Sequence, residues 1–198
     1  RREYGEAVDI EWRAFELRPE PHPTLDPDGE YLHRVWNQSV YPMAQQRGMV
    51  LKLPPVQPRS RKAFELAEFA RERGRYDETH RALFKAFFEH GRDLSDVDVL
   101  LEIAAGVGLD TDGVRAALDQ SRYVERVLAA QREAHRLGIG GVPAILIGGA
   151  DLPLSEAENL SGAQPYEIVR GSGSARGRIG KTNNSPGSFG ASLSCAQQ

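Results

Sequence analysis

From Val8 to Leu17 the apolar positions Val8, Ile10, Trp12 and Ala14 alternate with Asp9, Glu11 and Arg13. A period of two predicts a strand with one wetter face. Before it, Arg1 to Glu6, with Gly5 near its end, reads as the last turn of a helix whose beginning is not in the sequence. After it, Pro19, Pro21, Pro23 and Pro27 forbid regular structure and predict an extended connector over Arg18 to Pro27.

From about Gly29 to Leu137 the pattern changes to a helical period almost throughout. Ser60 is placed to cap a helix carrying Ala63, Phe64, Leu66, Ala67 and Ala70, and Gly74 ends it. Asp77 is placed to cap the next, whose Leu83, Phe84, Phe87 and Phe88 form one stripe that Gly91 stops. Ser95 and Asp98 read as a capping box for Val99, Leu100, Ile103 and Ala104, and Thr111 opens a shorter helix with Val114, Ala117 and Leu118. Tyr123 to Leu137 carries Val124, Val127, Leu128 and Ala134, with Gly138 as its terminator. Short helices on tight loops predict a compact helical lobe.

The pattern then contracts to Gly140-Gly141-Val142-Pro143-Ala144-Ile145-Leu146-Ile147, a small-residue turn running through a Val-Pro step into an apolar strand. Proline is tolerated at the first residue of a strand because it has no N–H to give to the ladder. A cis bond there would leave the preceding backbone for something else to pair with. Gly148-Gly149 suits a hairpin turn, with a second strand at Ala150 to Leu154 or around Leu160. Pro165 fits the first position of a helix that Gly171 cuts short after Tyr166 to Arg170. From Gly171 on, 12 of 28 residues are Gly or Ser and none is acidic, which predicts a tail without structure.

Composition narrows the function classes. The 198 residues, 40% hydrophobic and 27% charged, suffice for one good core and perhaps a subdomain. No apolar run approaches the roughly 20 residues of a membrane span. The formal charge of −3, close to −6 once the tail's three basic residues are set aside, argues against general nucleic-acid binding. The single cysteine, Cys195, closes no internal disulfide and suits a reducing compartment, here taken as the cytoplasm. The chain opens on Arg1 rather than Met and is read as a fragment.

Chemistry-bearing motifs are sparse. Ala175 to Thr182 matches a relaxed phosphate loop, but Gly171-Ser172-Gly173 before it and Asn183 to Gly187 after it supply neither strand nor helix. His22, His33, His80, His90 and His135 show no metal-ligand spacing, so no metal or cofactor is expected. Glu65 with Glu68, and Asp96 with Asp98, read as solvated surface or caps, and Arg59, Arg61 and Lys62 as a solvated basic face. Nothing beside Cys195 would tune its thiol. Trp12, Phe15, Phe84, Phe87 and Phe88 read as core.

The order of these elements resembles the DsbA-like thiol-disulfide oxidoreductases of the thioredoxin superfamily, in their FrnE-type subgroup. The resemblance is carried by Glu11-Trp12-Arg13-Ala14-Phe15-Glu16-Leu17, Ser60-Arg61-Lys62-Ala63, Ala67-Glu68-Phe69-Ala70, Gly91-Arg92-Asp93-Leu94, Leu137 to Pro143 and Ser161-Gly162-Ala163-Gln164-Pro165, within residues 6 to 168. It implies an α/β, thioredoxin-like fold with a large all-helical insertion. Residues 1–17 and 137–170 would form the thioredoxin-like domain, 18–136 the insertion and 171–198 a disordered tail.

It also implies thiol-disulfide exchange, in which a Cys-x-x-Cys at a helix N-terminus supplies a thiolate. By this resemblance Pro143 is the catalytic cis proline beside that pair, and the backbone of Val142 and Gly141 binds substrate in β fashion. The sequence has no Cys-x-x-Cys, and the first strand and nucleophile-bearing helix of the family are expected before Arg1.

Their absence would leave the strand at Val8 to Leu17 and that at Ala144 to Ile147 facing a gap, so the chain as written is expected to fold poorly or pair with another. The implied partners are protein or small-molecule thiols and disulfides, with no nucleic acid or membrane, and a homodimer is compatible with them. Two other readings stand beside this one. They are the glutathione-dependent kappa-type transferases and hydroxychromene-carboxylate isomerases, and a non-catalytic peptide-binding module. Two departures from the family are visible: the longer stretch between Gly149 and Leu160, and the last helix cut at Gly171.

Overall fold

A computed structural model describes residues 8–149, 152–175 and 190–194, the side chains of 173–175 and 190–194 excepted. The chain divides into two compact units, one of Arg18–Leu128 and one of the residues up to Leu17 with those from Ala129 on.

The first unit is helical. It begins with α1 (Glu30–Val35), a π-helical turn (Trp36–Val40) and α2 (Tyr41–Gln46), with helical backbone at both junctions. The wide turn has a local cause in Pro42, which has no N–H and whose ring crowds the carbonyl four residues back. The ladder opens by one residue, and the Tyr41 N–H donates to the Trp36 carbonyl instead.

Then come α3 (Arg61–Arg71), α4 (Tyr76–Phe88), α5 (Val97–Gly106) and α6 (Thr111–Asp119). Their apolar stripes close on one core that includes Leu66, Phe69, Leu83, Phe87, Leu94, Leu100, Val114 and Tyr123. Glu72 links this core to its rim, accepting from Tyr123 Oη at 2.5 Å and from Arg126 Nη2 at 2.5 Å. The Tyr123 hydroxyl, with Arg126 and Arg73, holds the Glu72 carboxyl below its ordinary value against a counteracting desolvation.

Several local expectations are corrected here. The caps of α5 and α6 are Asp96, whose side chain accepts from the Asp98 N–H, and Asp110, which accepts from the Asp112 N–H. Ser95 instead bonds Asp93, so the two-residue Asx geometry displaced the wider box. Ser60 precedes α3 without a side-chain cap bond, and α4 begins one residue before Asp77. Glu65, read as surface, is buried, while Glu68 pairs with Arg71 at 3.1 Å. Phe15 and Phe87 are buried, whereas Trp12, Phe84 and Phe88 are half-buried. Gly91 ends α4 in the left-handed region at φ 63°, and a Cβ there would meet Pro55 Cδ at 2.8 Å, so the position needs glycine twice over.

The second unit holds β1 (Asp9–Arg13), β2 (Ala144–Ile147), β3 (Glu158–Ser161), α8 (Tyr166–Ala175) and β4 (Gly190–Ser194). Between the units in sequence runs α7 (Val124–Arg136), whose residues from Ala129 on belong to this one. The sheet order is β1-β4-β2-β3. β4 is parallel to β1, with Arg13 opposite Ser194, and antiparallel to β2, with Ala144 opposite the same Ser194. β2 and β3 are antiparallel, with Ala144 opposite Ser161 and Ile147 opposite Glu158. The strand expected around Leu160 is therefore β3, and the Gly148-Gly149 step opens a long connection containing a 3₁₀ turn at Leu154–Glu156 rather than a tight hairpin.

The expected gap beside β1 is filled. The tail expected to lack structure supplies β4, and α8 runs on to Ala175, with Ser172 donating to Glu158 at 2.8 Å. Composition judged that tail by the side chains it could bury. Strand pairing asks only for backbone N–H and C=O groups, which two facing strand edges leave in want of partners. Most of the relaxed phosphate-loop match and Cys195 lie outside the described residues.

Candidate functional site

The Val142–Pro143 step ends a loop that is fixed at both sides. On the helix side, Gly138 takes φ 73° and turns the chain out of α7, and the Ile139 N–H donates to the Ala134 carbonyl at 2.9 Å. Ile139 is buried with Phe15, Ala134, Ala144 and Leu146, and the Val142 side chain packs against that cluster. On the strand side, the Pro143 carbonyl accepts from the Gly162 N–H at 2.8 Å. Gly162 sits at φ 80°, a conformation that L side chains rarely adopt. The Gln164 side chain donates to the Ser161 carbonyl at 2.6 Å, so the Ser161-Gly162-Ala163-Gln164 turn buttresses the loop.

Between these anchors the Val142–Pro143 bond is cis. Val142 and Pro143 are half-buried and Gly140 is exposed. Among the described residues, neither the N–H nor the C=O of Gly141 or Val142 enters a hydrogen bond. A donor and an acceptor are thus held on a loop anchored at both ends, one residue before a strand, with nothing among the described residues to pair them.

A set of polar residues joins β1 and the segment after it to α7, and two of them, Gln131 and Glu133, were not singled out from the sequence. The Glu16 N–H donates to Gln131 Oε1 at 2.7 Å, and Gln131 Nε2 donates to the Glu16 carbonyl at 3.1 Å. Gln131 Nε2 is 3.3 Å from His135 Nε2, and the His135 ring stands edge-on to Phe15 at 5.7 Å. Arg13 of β1 pairs with Glu133 of α7. A signal for Gln131 existed: it falls on the apolar stripe of Val124, Val127, Leu128 and Ala134, where a polar residue needs a partner.

The other sequence candidates lie apart from this loop in the chain. Arg59, taken as a solvated basic face, donates to the carbonyls of Arg18 and His22, each at 3.0 Å, and so fastens the proline-rich connector. Among the described residues no group of three or more His, Cys, Asp and Glu side chains converges as a metal site requires. Nor is any described helix long and apolar enough to cross a membrane.

Together, the sheet with its helical crossover and the strand-capping Val-Pro loop define a thioredoxin-like domain of the DsbA type. The sequence pattern of the DSBA-like thioredoxin domain matches residues 1–171, and the chain belongs to that family. It is 35% identical over 153 residues to the uncharacterized protein YwbO of Bacillus subtilis (strain 168), covering 75% of this chain and 76% of that one. It also superposes with a TM-score of 0.65 on the crystal structure of the probable DsbA oxidoreductase SCO1869 from Streptomyces coelicolor. That match has 27% identity and covers 87% of this chain and 77% of the other.

Proposed function

We propose that the chain serves thiol-disulfide exchange of the DsbA type, with the Gly141–Pro143 loop as the surface on which a peptide substrate lies as an added strand. The observation that supports this most is the backbone of Val142, which has no hydrogen-bond partner among the described residues, on a loop anchored at both ends. An extended peptide gains affinity from main-chain bonds of this kind, largely without regard to its sequence. Placement in the FrnE-type subgroup rests on the Glu11 to Leu17 and Leu137 to Pro143 motifs, and a cytoplasmic location on the lone cysteine.

The chemistry bounds what these residues do alone. In a dithiol cycle one thiolate attacks a substrate disulfide, forms a mixed disulfide and expels one substrate thiolate; a second protein thiol then displaces the bound sulfur. The sequence holds one cysteine, Cys195, and no Cys-x-x-Cys. One thiol supports only the first displacement, and the mixed disulfide waits for an outside thiol such as glutathione to release it. The 198-residue chain is therefore inactive as a dithiol oxidoreductase and contributes the substrate-facing loop.

Insulin reduction tests this. Dithiothreitol itself releases a mixed disulfide, yet nothing in the sequence beside Cys195 tunes its thiol, so the chain should leave insulin precipitation by dithiothreitol near the uncatalysed rate. Catalysed, saturable precipitation would contradict the inactivity of this chain on its own, and glutathione transfer to 1-chloro-2,4-dinitrobenzene would overturn thiol-disulfide exchange in favour of the transferase branch.

A further inference from the structure

We infer that Gln131 is a positioning residue for the Val142–Pro143 loop, holding the segment after β1 against the helix that carries the loop. The inference rests on the proposed docking role of that loop and names the side chain on which its rigidity depends. β1 ends its ladder at Arg13, yet Ala14, Phe15 and Glu16 continue into the interior and are all buried. Buried backbone needs partners. Gln131, itself 7% exposed, supplies them for Glu16: its Oε1 takes the N–H at 2.7 Å and its Nε2 gives to the C=O at 3.1 Å.

A side-chain amide can do this because it carries an acceptor and a donor side by side, as a neighbouring strand would. Gln131 Nε2 also lies 3.3 Å from His135 Nε2, one turn further along α7. One side chain thus ties the post-β1 segment to two successive turns of α7.

The consequence reaches the loop through contacts already described. Phe15, adjacent to the clamped residue, packs with Ala134 and Ile139, and Val142 rests on that cluster. The last turn of α7 leads through Ala134, Gly138 and Ile139 to the Val-Pro step. Few substitutes can keep both bonds. Leucine has neither group, and an ionised glutamate accepts but cannot donate to the Glu16 carbonyl. A protonated glutamate does both. The charged and titratable neighbours are the Glu16 carboxyl on the held segment, Arg132, Glu133, His135 and Arg136 on α7, and Arg13 on β1, which pairs with Glu133.

That difference supplies the test. Amide hydrogen exchange, corrected for intrinsic rates, is followed at Glu16 and Gly162 in the full chain at pH 8 and pH 5. It is compared for the wild type, Gln131→Glu and Gln131→Leu. At pH 8 both variants should exchange at these amides on the order of tenfold faster than the wild type, the scale of one lost buried hydrogen bond. Burial at this position, where Gln131 is 7% exposed, raises the pKa of the introduced carboxyl, so at pH 5 Gln131→Glu should move back toward the wild-type rate while Gln131→Leu stays fast.

Wild-type rates at Gly162 in Gln131→Glu at pH 8, or rates equally raised at both pH values, would overturn the inference. Should Gln131→Leu fail to fold, Gln131→Glu at the two pH values compares one chain with itself, and protected amides in α3 to α6 report that it is folded. No substrate enters the measurement, so failed peptide binding with this pattern intact removes the docking role and leaves the coupling standing.

Discussion

Thr79 is fully buried in α4, and its hydroxyl has no hydrogen-bond partner among the described residues. A buried hydroxyl without a bond carries a desolvation cost with no return. Thr79→Val keeps the shape and removes that cost, so urea unfolding should show a gain of about 1 kcal/mol. The next residue, His80, lies between the rings of Tyr76 at 5.7 Å and Phe84 at 4.7 Å. Burial is the first cause of its lowered pKa, moved from 6.5 to about 4, with Arg81 and Arg71 adding to the shift and Asp77 opposing it. The unfolded chain binds the proton more readily, so stability is fully present above pH 6.5 and is lost as pH falls toward about 4. Because the ring is partly exposed, about 1 to 2 kcal/mol is the expected size. Unfolding measured at pH 7 and pH 4.5 should show that extra loss in the wild type and not in His80→Phe.

At the scale of elements, helix ends are where local chemistry decides most. Asp110 caps α6, and its Oδ2 occupies space only 2.6 Å from where a Cβ on Gly113 would sit. Asp110→Ala should cost about 1 kcal/mol in thermal or urea unfolding, the usual value of a lost N-cap. Gly113→Ala, which by helix propensity alone would gain up to about 1 kcal/mol, should show no such gain because the new methyl meets the capping carboxylate. The glycine stops were legible in the sequence for a related reason: Gly74, Gly91 and Gly138 all adopt positive φ at helix ends. The caps were less legible, since Asp93, Ser95, Asp96 and Asp98 lie within six residues and several can bond the same amides. Glu65 shows the limit of periodicity, for a carboxylate on a helix reads as surface until its tertiary surroundings are known.

At the scale of the molecule, the sheet depends on a strand far from its neighbours in sequence. The alternation at Val8 to Leu17 and the apolar run at Ala144 to Ile147 identified β1 and β2 directly. β4 escaped notice because its pairing is made by backbone, which composition does not report. Ser192 lies opposite Glu11 on one side and Leu146 on the other. Ser192→Pro removes a central N–H from this ladder, and hydrogen exchange should show lost protection in β1 and β2 while α3 to α6 keep theirs. Equal protection in both strands would contradict the assigned order. The candidate loop was legible as Gly-Gly-Val-Pro before an apolar strand. Its support by Gln131 and Gly162 was not, because both act through hydrogen bonds to residues distant in the chain.

The central claim is that the backbone of Val142 is held free for an extended partner. An amide spectrum of the ¹⁵N-labelled chain, titrated with a short cystine-bridged peptide and separately with oxidised glutathione, measures this directly. With the peptide, the Val142 resonance should shift saturably and its hydrogen exchange should slow, as a new main-chain bond requires. A Val142 amide that neither shifts nor gains protection at saturating peptide would contradict the account.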